Sequence, residues 1–80
     1  MSHVYLIQSK KFPEKIYVGF TKHLTNRLKA HNAGHSIYTM RYKPWELIIA
    51  VEFADIDKAK KFEKYLKTVS GKAFLKRHFL

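Results

Sequence analysis

The stretch HVYLIQSKKFPEKIYVGF, residues 3–20, decides the fold. It holds two short runs rich in β-branched and aromatic residues, His3 to Ile7 and Lys15 to Phe20. Between them lies a polar segment, Gln8 to Glu14, that contains Pro13. Runs of that composition form strands, and the segment between them turns the chain into a β-hairpin with an irregular loop. Side chains along a strand alternate between its two faces. Val4 and Leu6 therefore share one face with Tyr5 on the other, and Ile16 and Val18 share one with Tyr17 and Gly19 on the other. Tyr5 and Tyr17 are expected on the same face of the sheet.

After the hairpin the period changes. From Lys22 to Ala33 the pattern is helical: Leu24 and Leu28 stand one turn apart, Thr21 or Thr25 is placed to cap the start, and Gly34 to end the helix in a left-handed turn. His35 to Lys43 is a polar, Tyr-rich connection that Pro44 interrupts, and Trp45 to Phe53 is a dense apolar run that predicts a buried third strand. Asp55 or Asp57 opens a second helix, along which Ile56, Ala59, Phe62 and Leu66 recur at helical spacing. Ser70 is placed to cap a last helix, Gly71 to about Phe79, that docks Phe74, Leu75 and Phe79. The order β-β-α-β-α-α predicts an α/β (α+β) fold, a three-stranded, mainly antiparallel sheet flanked by helices, as one domain over residues 1–80.

Composition sets the partner class. Cysteine is absent, which excludes a disulfide scaffold, a thiol nucleophile and zinc sites built on thiolates. No apolar run approaches the roughly 20 residues that span a bilayer, and the N-terminus lacks a signal-peptide core, so a cytoplasmic protein without a membrane partner is expected. Sixteen Lys and Arg against six Asp and Glu give a formal charge of +10, divided evenly between residues 1–40 and 41–80. A polyanionic partner follows. Nucleic acid suits this better than a membrane surface, because no segment combines a Lys-rich face with a broad face of bulky apolar residues.

Several residues break the bland pattern. At roughly 100° per residue, Glu63 falls between Ile56 and Leu66 on the apolar face of a helix otherwise coated in lysine. It is either an edge carboxylate paired with a neighbouring Lys or a ligand for a divalent ion, since Mg²⁺ needs few protein carboxylates when waters and a phosphate complete its shell. Arg27 and His31 stand one turn apart at the border of the Leu24–Leu28 stripe, as an ordinary surface pair or as a phosphate-binding guanidinium beside a proton-relaying imidazole. Tyr5 and Tyr17 are ordinary strand residues, but Gly19 weakens its strand unless something approaches closely there. Other constellations fall short. His31 and His35 have a metal-like spacing with no second half-site, Ser70-Gly71-Lys72 lacks the first glycine of a P-loop, and nothing completes a serine-hydrolase triad.

Taken in order, these residues resemble the GIY-YIG nuclease superfamily, most closely its small single-domain excinuclease-like (UPF0213-like) members. Val4-Tyr5-Leu6-Ile7 resembles the first motif and Ile16-Tyr17-Val18-Gly19 the second. Leu24-Thr25-Asn26-Arg27-Leu28-Lys29-Ala30-His31-Asn32-Ala33-Gly34 resembles the helix that follows, and Glu63-Lys64-Tyr65-Leu66-Lys67 the metal-ligand helix. Tyr38-Thr39, Pro44-Trp45-Glu46-Leu47 and Ser70 to Arg77 extend the likeness over nearly the whole chain. The chain departs from the family at His3, where the first motif has glycine, at Val4, where it has isoleucine, and at Phe20, where excision-repair relatives have lysine.

The resemblance implies hydrolysis of DNA phosphodiester bonds, structure-selective and linked to repair or recombination, with one divalent ion, Mg²⁺ or Mn²⁺, held mainly by Glu63. In that scheme Arg27 binds the scissile phosphate and Tyr17 positions or deprotonates the attacking water. His31 assists proton transfer or contacts phosphate, Tyr5 completes the hydrogen-bonded network, and Gly19 keeps the pocket open. Lys58, Lys61, Lys64, Lys72, Lys76 and Arg77 are the expected nucleic-acid contacts, and a protein partner or a homo-oligomer is expected to add specificity. The alternative is a catalytically weak or inactive nucleic-acid-binding module that relies on those same six cations. A third reading is an adaptor whose exposed Tyr38, Tyr42 and Trp45 dock a protein.

Overall fold

The computed structural model describes residues 1–80. Strands β1 (Ser2–Ser9), β2 (Ile16–Thr21) and β3 (Trp45–Phe53) form one sheet in the order β2-β1-β3, with both pairings antiparallel. The hairpin sets Tyr5 opposite Gly19, Leu6 opposite Val18 and Ile7 opposite Tyr17. Its loop is organised by Ser9, whose hydroxyl accepts from Phe12 N at 3.0 Å and donates to the Tyr42 carbonyl at 2.6 Å.

Helices cover both faces of the sheet. Against one face, Val4, Leu6 and Val18 pack with Ala59, Leu66 and Leu75 of α3 (Ile56–Leu66) and α4 (Val69–His78). Against the other, Tyr5, Ile7 and Trp45 pack with Tyr17, Leu24, Leu28 and Tyr42, which come from β2, from α1 (Leu24–Ala33) and from the end of a short helix α2 (Ile37–Arg41). Helices of 10 or 11 residues are marginal alone in water, so docking of these apolar side chains holds α1, α3 and α4 in place. A fully buried leucine such as Leu66 or Leu75 contributes about 1.5–3 kcal/mol.

The structure corrects several expectations. β3 is an edge strand, not a buried one: of its nine residues only Trp45 is buried, and Leu47 is 42% exposed. An apolar run has the same period at an edge as at the centre of a sheet, and the centre belongs to β1, which is apolar on both faces. Helix α2 occupies the expected connection, capped by Ser36, whose hydroxyl accepts from Thr39 N and lies 2.7 Å from Thr39 Oγ1. Neither Thr21 nor Thr25 caps α1. Its N-cap is His23, which has no side-chain cap, and Thr21 accepts from His23 N just ahead of the helix. Gly34 does end α1, with φ 79°. Asp55, not Asp57, caps α3 by accepting from Asp57 N and Lys58 N. Thr68 rather than Ser70 caps α4, because its hydroxyl meets Gly71 N at the three-residue cap spacing, so the helix starts at Val69. Phe79 falls past the end of α4 and stays 43% exposed.

Trp45 also departs from the adaptor reading. It is buried, and its indole Nε1 donates to the Thr39 carbonyl at 2.9 Å. Its backbone is clamped from α1: Asn32 Oδ1 accepts from Trp45 N at 2.6 Å, while Asn32 Nδ2 donates to Trp45 O at 3.3 Å. One side chain thus ties the helix to the start of β3 by imitating a strand's pairing. Asn32→Asp keeps the acceptor but sets a carboxylate oxygen against the Trp45 carbonyl. We expect a loss of about 1–3 kcal/mol, read as a lower urea midpoint at unchanged m-value.

Candidate active site

Tyr5 leaves the centre of the sheet buried, and its hydroxyl lies 2.8 Å from His31 Nε2 on α1. The contact depends on Gly19, directly across the ladder: a Cβ there would strike Tyr5 Oη and Cζ. The gap foreseen at Gly19 is therefore filled by the Tyr5 ring and does not stand open as a pocket. Tyr17 follows on the same face, its ring centroid 6.3 Å from Tyr5 and 4.9 Å from His31. Arg27, one turn before the buried His31, is exposed. With Tyr17, His31, His35, Ser36 and Thr39, Arg27 borders a hollow of about 120 Å³.

Burial sets the protonation states. The Tyr5 hydroxyl is pushed well above the usual tyrosine range, first by loss of solvent and then by the neighbouring Tyr17, with Arg27 opposing and Glu63 adding. It stays a protonated phenol near neutrality. Loss of solvent likewise lowers His31 below 6.5, and the positive charge of Arg27 lowers it further, so the ring is neutral there. A neutral imidazole has one donor and one acceptor nitrogen, and the tautomer decides whether Tyr5 donates to Nε2 or accepts from it.

Glu63 arrives from the other layer. On α3 it is half-buried, and its Oε2 lies 3.0 Å from Lys67 Nζ, one turn on. Its charge is felt at the Tyr5 hydroxyl, but it does not border the Arg27 hollow. The helix thus shows the edge-carboxylate pairing while holding the carboxylate within reach of the tyrosine's field. No group of three His, Cys, Asp or Glu side chains is assembled to hold a metal. That excludes a closed all-protein cage. A lone hard oxygen donor still fits an ion of the Mg²⁺ kind, whose remaining positions are filled by water and phosphate.

The six expected nucleic-acid contacts are all exposed on α3 and α4. Lys72 borders a second hollow together with Tyr17, and Arg77 borders a third with Phe74 and His78. Lys58, Lys61, Lys64 and Lys76 border none of these hollows. The departures from the motifs are structural. Val4 and Phe20 belong to the α3–α4 core, and His3 faces Glu52 across β3, with Nε2 at 3.5 Å from Oε2.

Sequence reasoning passed over His35, Ser36, Thr39 and Tyr38 as neighbours of the site. Tyr38 donates its hydroxyl to the Ile16 carbonyl at 3.0 Å and sets its ring 6.1 Å from Tyr17. The only local signal was the Ser36–Thr39 cap spacing, which marks α2. No helix is long and apolar enough to cross a membrane.

Residues 1–77 match the GIY-YIG catalytic domain. Over 71 residues, 88% of this chain, the sequence is 34% identical to a UPF0213 protein of Clostridium perfringens, covering 74% of that protein. Over 60 residues, 70% of this chain, it is 37% identical to the structure-specific endonuclease subunit SLX1 homolog of Giardia intestinalis. The chain spans only 17% of that larger relative.

Two outcomes test this geometry. Gly19→Ala forces Tyr5 off His31 and is expected to cost about 1–3 kcal/mol by overpacking, read by urea unfolding. For His31 the folded state binds its proton more weakly than the unfolded chain does. Its contribution to stability is complete above pH 6.5 and is lost as pH falls through the lowered folded value. Between about pH 7.5 and about pH 5 the urea midpoint of the wild type should fall further than that of His31→Gln. Parallel slopes would contradict the assignment.

Proposed function

Because the chain belongs to the GIY-YIG family, we propose that it is a nuclease that hydrolyses phosphodiester bonds, DNA first, with one divalent ion, Mg²⁺ or Mn²⁺, held through Glu63. The observation that carries this reading is the convergence of Arg27, Tyr17 and the Tyr5-bonded His31 on one solvent-open hollow in a chain of charge +10.

Each group has a task suited to its state. The exposed Arg27 guanidinium offers two parallel donors to the non-bridging oxygens of a phosphate and offsets the charge that builds there during attack. Tyr17, at the wall of the same hollow, orients the attacking water through its hydroxyl. His31 takes the proton at the ring nitrogen that Tyr5 does not engage, in the tautomer with Nε2 protonated. In the other tautomer that nitrogen donates to phosphate. Tyr5 stays protonated and holds the imidazole in place. The ion, when bound, supplies Lewis-acid neutralisation of phosphate charge and lowers the pKa of water.

Glu63 is ion-paired with Lys67, which favours the second reading, a weak or inactive nucleic-acid-binding module. The magnitude argues against it. Lys67 is 53% exposed, and an exposed pair one helical turn apart is worth about 0.3–0.5 kcal/mol, too little to keep a divalent ion off the carboxylate. Selection of branched DNA, in keeping with the structure-specific activity in the name of the Giardia relative, belongs to the same proposal. So do a role in repair or recombination, a cytoplasmic location, and a partner or second copy that adds specificity.

The test is cleavage of labelled single-stranded, duplex, flap and four-way-junction DNA with Mg²⁺, Mn²⁺ or chelator. Cutting should require the metal and fall by at least about 100-fold in Glu63→Gln and in Tyr17→Phe. DNA binding by both variants should keep its steep dependence on salt, since their Lys and Arg contacts are intact. Glu63→Gln cutting at the wild-type rate would sink the metal assignment. Binding without cutting on every substrate would favour the module.

A further inference from the structure

A hollow of about 270 Å³ wraps the open edge of β2, next to the Arg27 hollow and sharing Tyr17 with it as a wall. Its lining joins both layers: Tyr38 of α2 on one side, Leu66, Lys67 and Lys72 from the α3–α4 side on the other, with Val18 at the strand. Drug-sized ligands occupy roughly 300–1,000 Å³, so this volume suits a single planar ring system and its sugar.

Three features describe the occupant. First, Tyr38 offers a ring face of fixed orientation. Its hydroxyl is tied to the Ile16 carbonyl, and its ring packs 5.2 Å from Tyr42 and 5.8 Å from Trp45, yet the side chain is 40% exposed. Second, the strand edge offers backbone groups. Ser9 N donates to Lys15 O across the hairpin, while Lys15 N turns to the Phe12 carbonyl; that one bond sets the phase of the ladder, so by alternation Ile7–Tyr17 is the next hydrogen-bonded position. The residues between, Ile16 and Val18, therefore turn their N–H and C=O outward. Tyr38 takes the Ile16 carbonyl, and no side chain takes those of Val18. Third, the rim is cationic, with Lys72 unpaired and Lys67 paired only with Glu63.

An aromatic face, an adjacent donor and acceptor, and ammonium groups at the rim are what a nucleotide needs: a surface for stacking, partners for the base edge and countercharge for phosphate. We propose that this hollow seats one unpaired nucleobase of the strand whose neighbouring phosphate lies at Arg27. The inference rests on the nucleic-acid reading above. It adds that the chain grips an unstacked nucleotide beside the bond it acts on, which favours single-stranded or frayed substrate over intact duplex. The same strand edge has the geometry to pair with an extended peptide, but the cationic rim and the wall shared with the Arg27 hollow favour the nucleotide.

The probe is a thymidine hexanucleotide compared with the same chain carrying abasic residues at every position, equal in phosphate charge, both in chelator so that neither is cut. The wild type should bind the hexanucleotide at least about tenfold more tightly, as one stacked base allows. Tyr38→Leu should bind the two alike, while Tyr38→Phe keeps the preference. In the wild type the Val18 amide NMR signal should move with the hexanucleotide and not with its abasic form, a readout that does not depend on how the variants fold. Equal wild-type affinities, an undiminished preference in Tyr38→Leu, or a still Val18 signal would overturn the proposal. Equal affinities with the Val18 signal moved instead by an apolar peptide would overturn it in favour of strand pairing. Cleavage of flap DNA by the wild type with Mg²⁺ is scored separately. Cutting without base preference sinks this subsite and leaves the nuclease standing; base preference without cutting does the reverse.

Discussion

Burial of β1 on both faces is the constraint on which the rest of the structure depends. Val4, Tyr5, Leu6 and Ile7 are consecutive and each is at most 2% exposed, so helices must cover both sides of a sheet only three strands wide. A chain this short buries a modest share of its surface. Filling the centre of the sheet with four apolar side chains in a row makes one strand serve two cores. The cost falls on the neighbours: β2 and β3 are both edges, and β3 leaves apolar side chains such as Leu47 in solvent.

The chemistry follows from that arrangement. Tyr5 is polar at its tip and sits where only its ring belongs, so the hydroxyl requires a partner. Gly19 gives the ring room, and α1 brings His31 to meet the hydroxyl. The same burial keeps the phenol protonated and the imidazole neutral. Two groups that would exchange little with bulk water thus stand behind Tyr17 and Arg27, which face it. The buried, neutral pair is held in orientation by its hydrogen bond, while Arg27 in front of it is exposed and free to reorganise.

What was legible in the sequence tracks the range of the signal. Strand alternation placed Tyr5 and Tyr17 on one face, and the helical period marked α1 and α3 and drew attention to Glu63. Helix α2 escaped because five residues are too few to show a period, and its cap depends on Ser36 in a stretch that reads as loop. The cap of α4 was misplaced by two residues because Thr68 and Ser70 are both good caps in isolation, and only the bond to Gly71 N separates them. Tyr38 and Lys67 as lining residues, and Asn32 as a clamp, were passed over for another reason. Their roles arise from contacts with the Ile16 carbonyl, the lining around Tyr17 and the Trp45 backbone, none of which is a neighbour in the pattern.

The open edge of β2 is where the two helical layers meet. In a wider sheet, Glu63 of α3 and Lys67 just past its end would be screened from Tyr17 and the α1 face by another strand. Here Lys67, Lys72, Tyr17 and Tyr38 line one hollow around the strand, and the Glu63 charge reaches Tyr5. Because β2 lacks an outer neighbour, side chains from the α3–α4 side and from the Tyr17–Tyr38 side meet around one strand. Exposed edge backbone is ordinarily a liability for unwanted strand pairing, and β2 has such an edge. The Tyr38 hydroxyl blocks part of it at Ile16, and the lysines at its rim, Lys67 and Lys72, discourage a second strand.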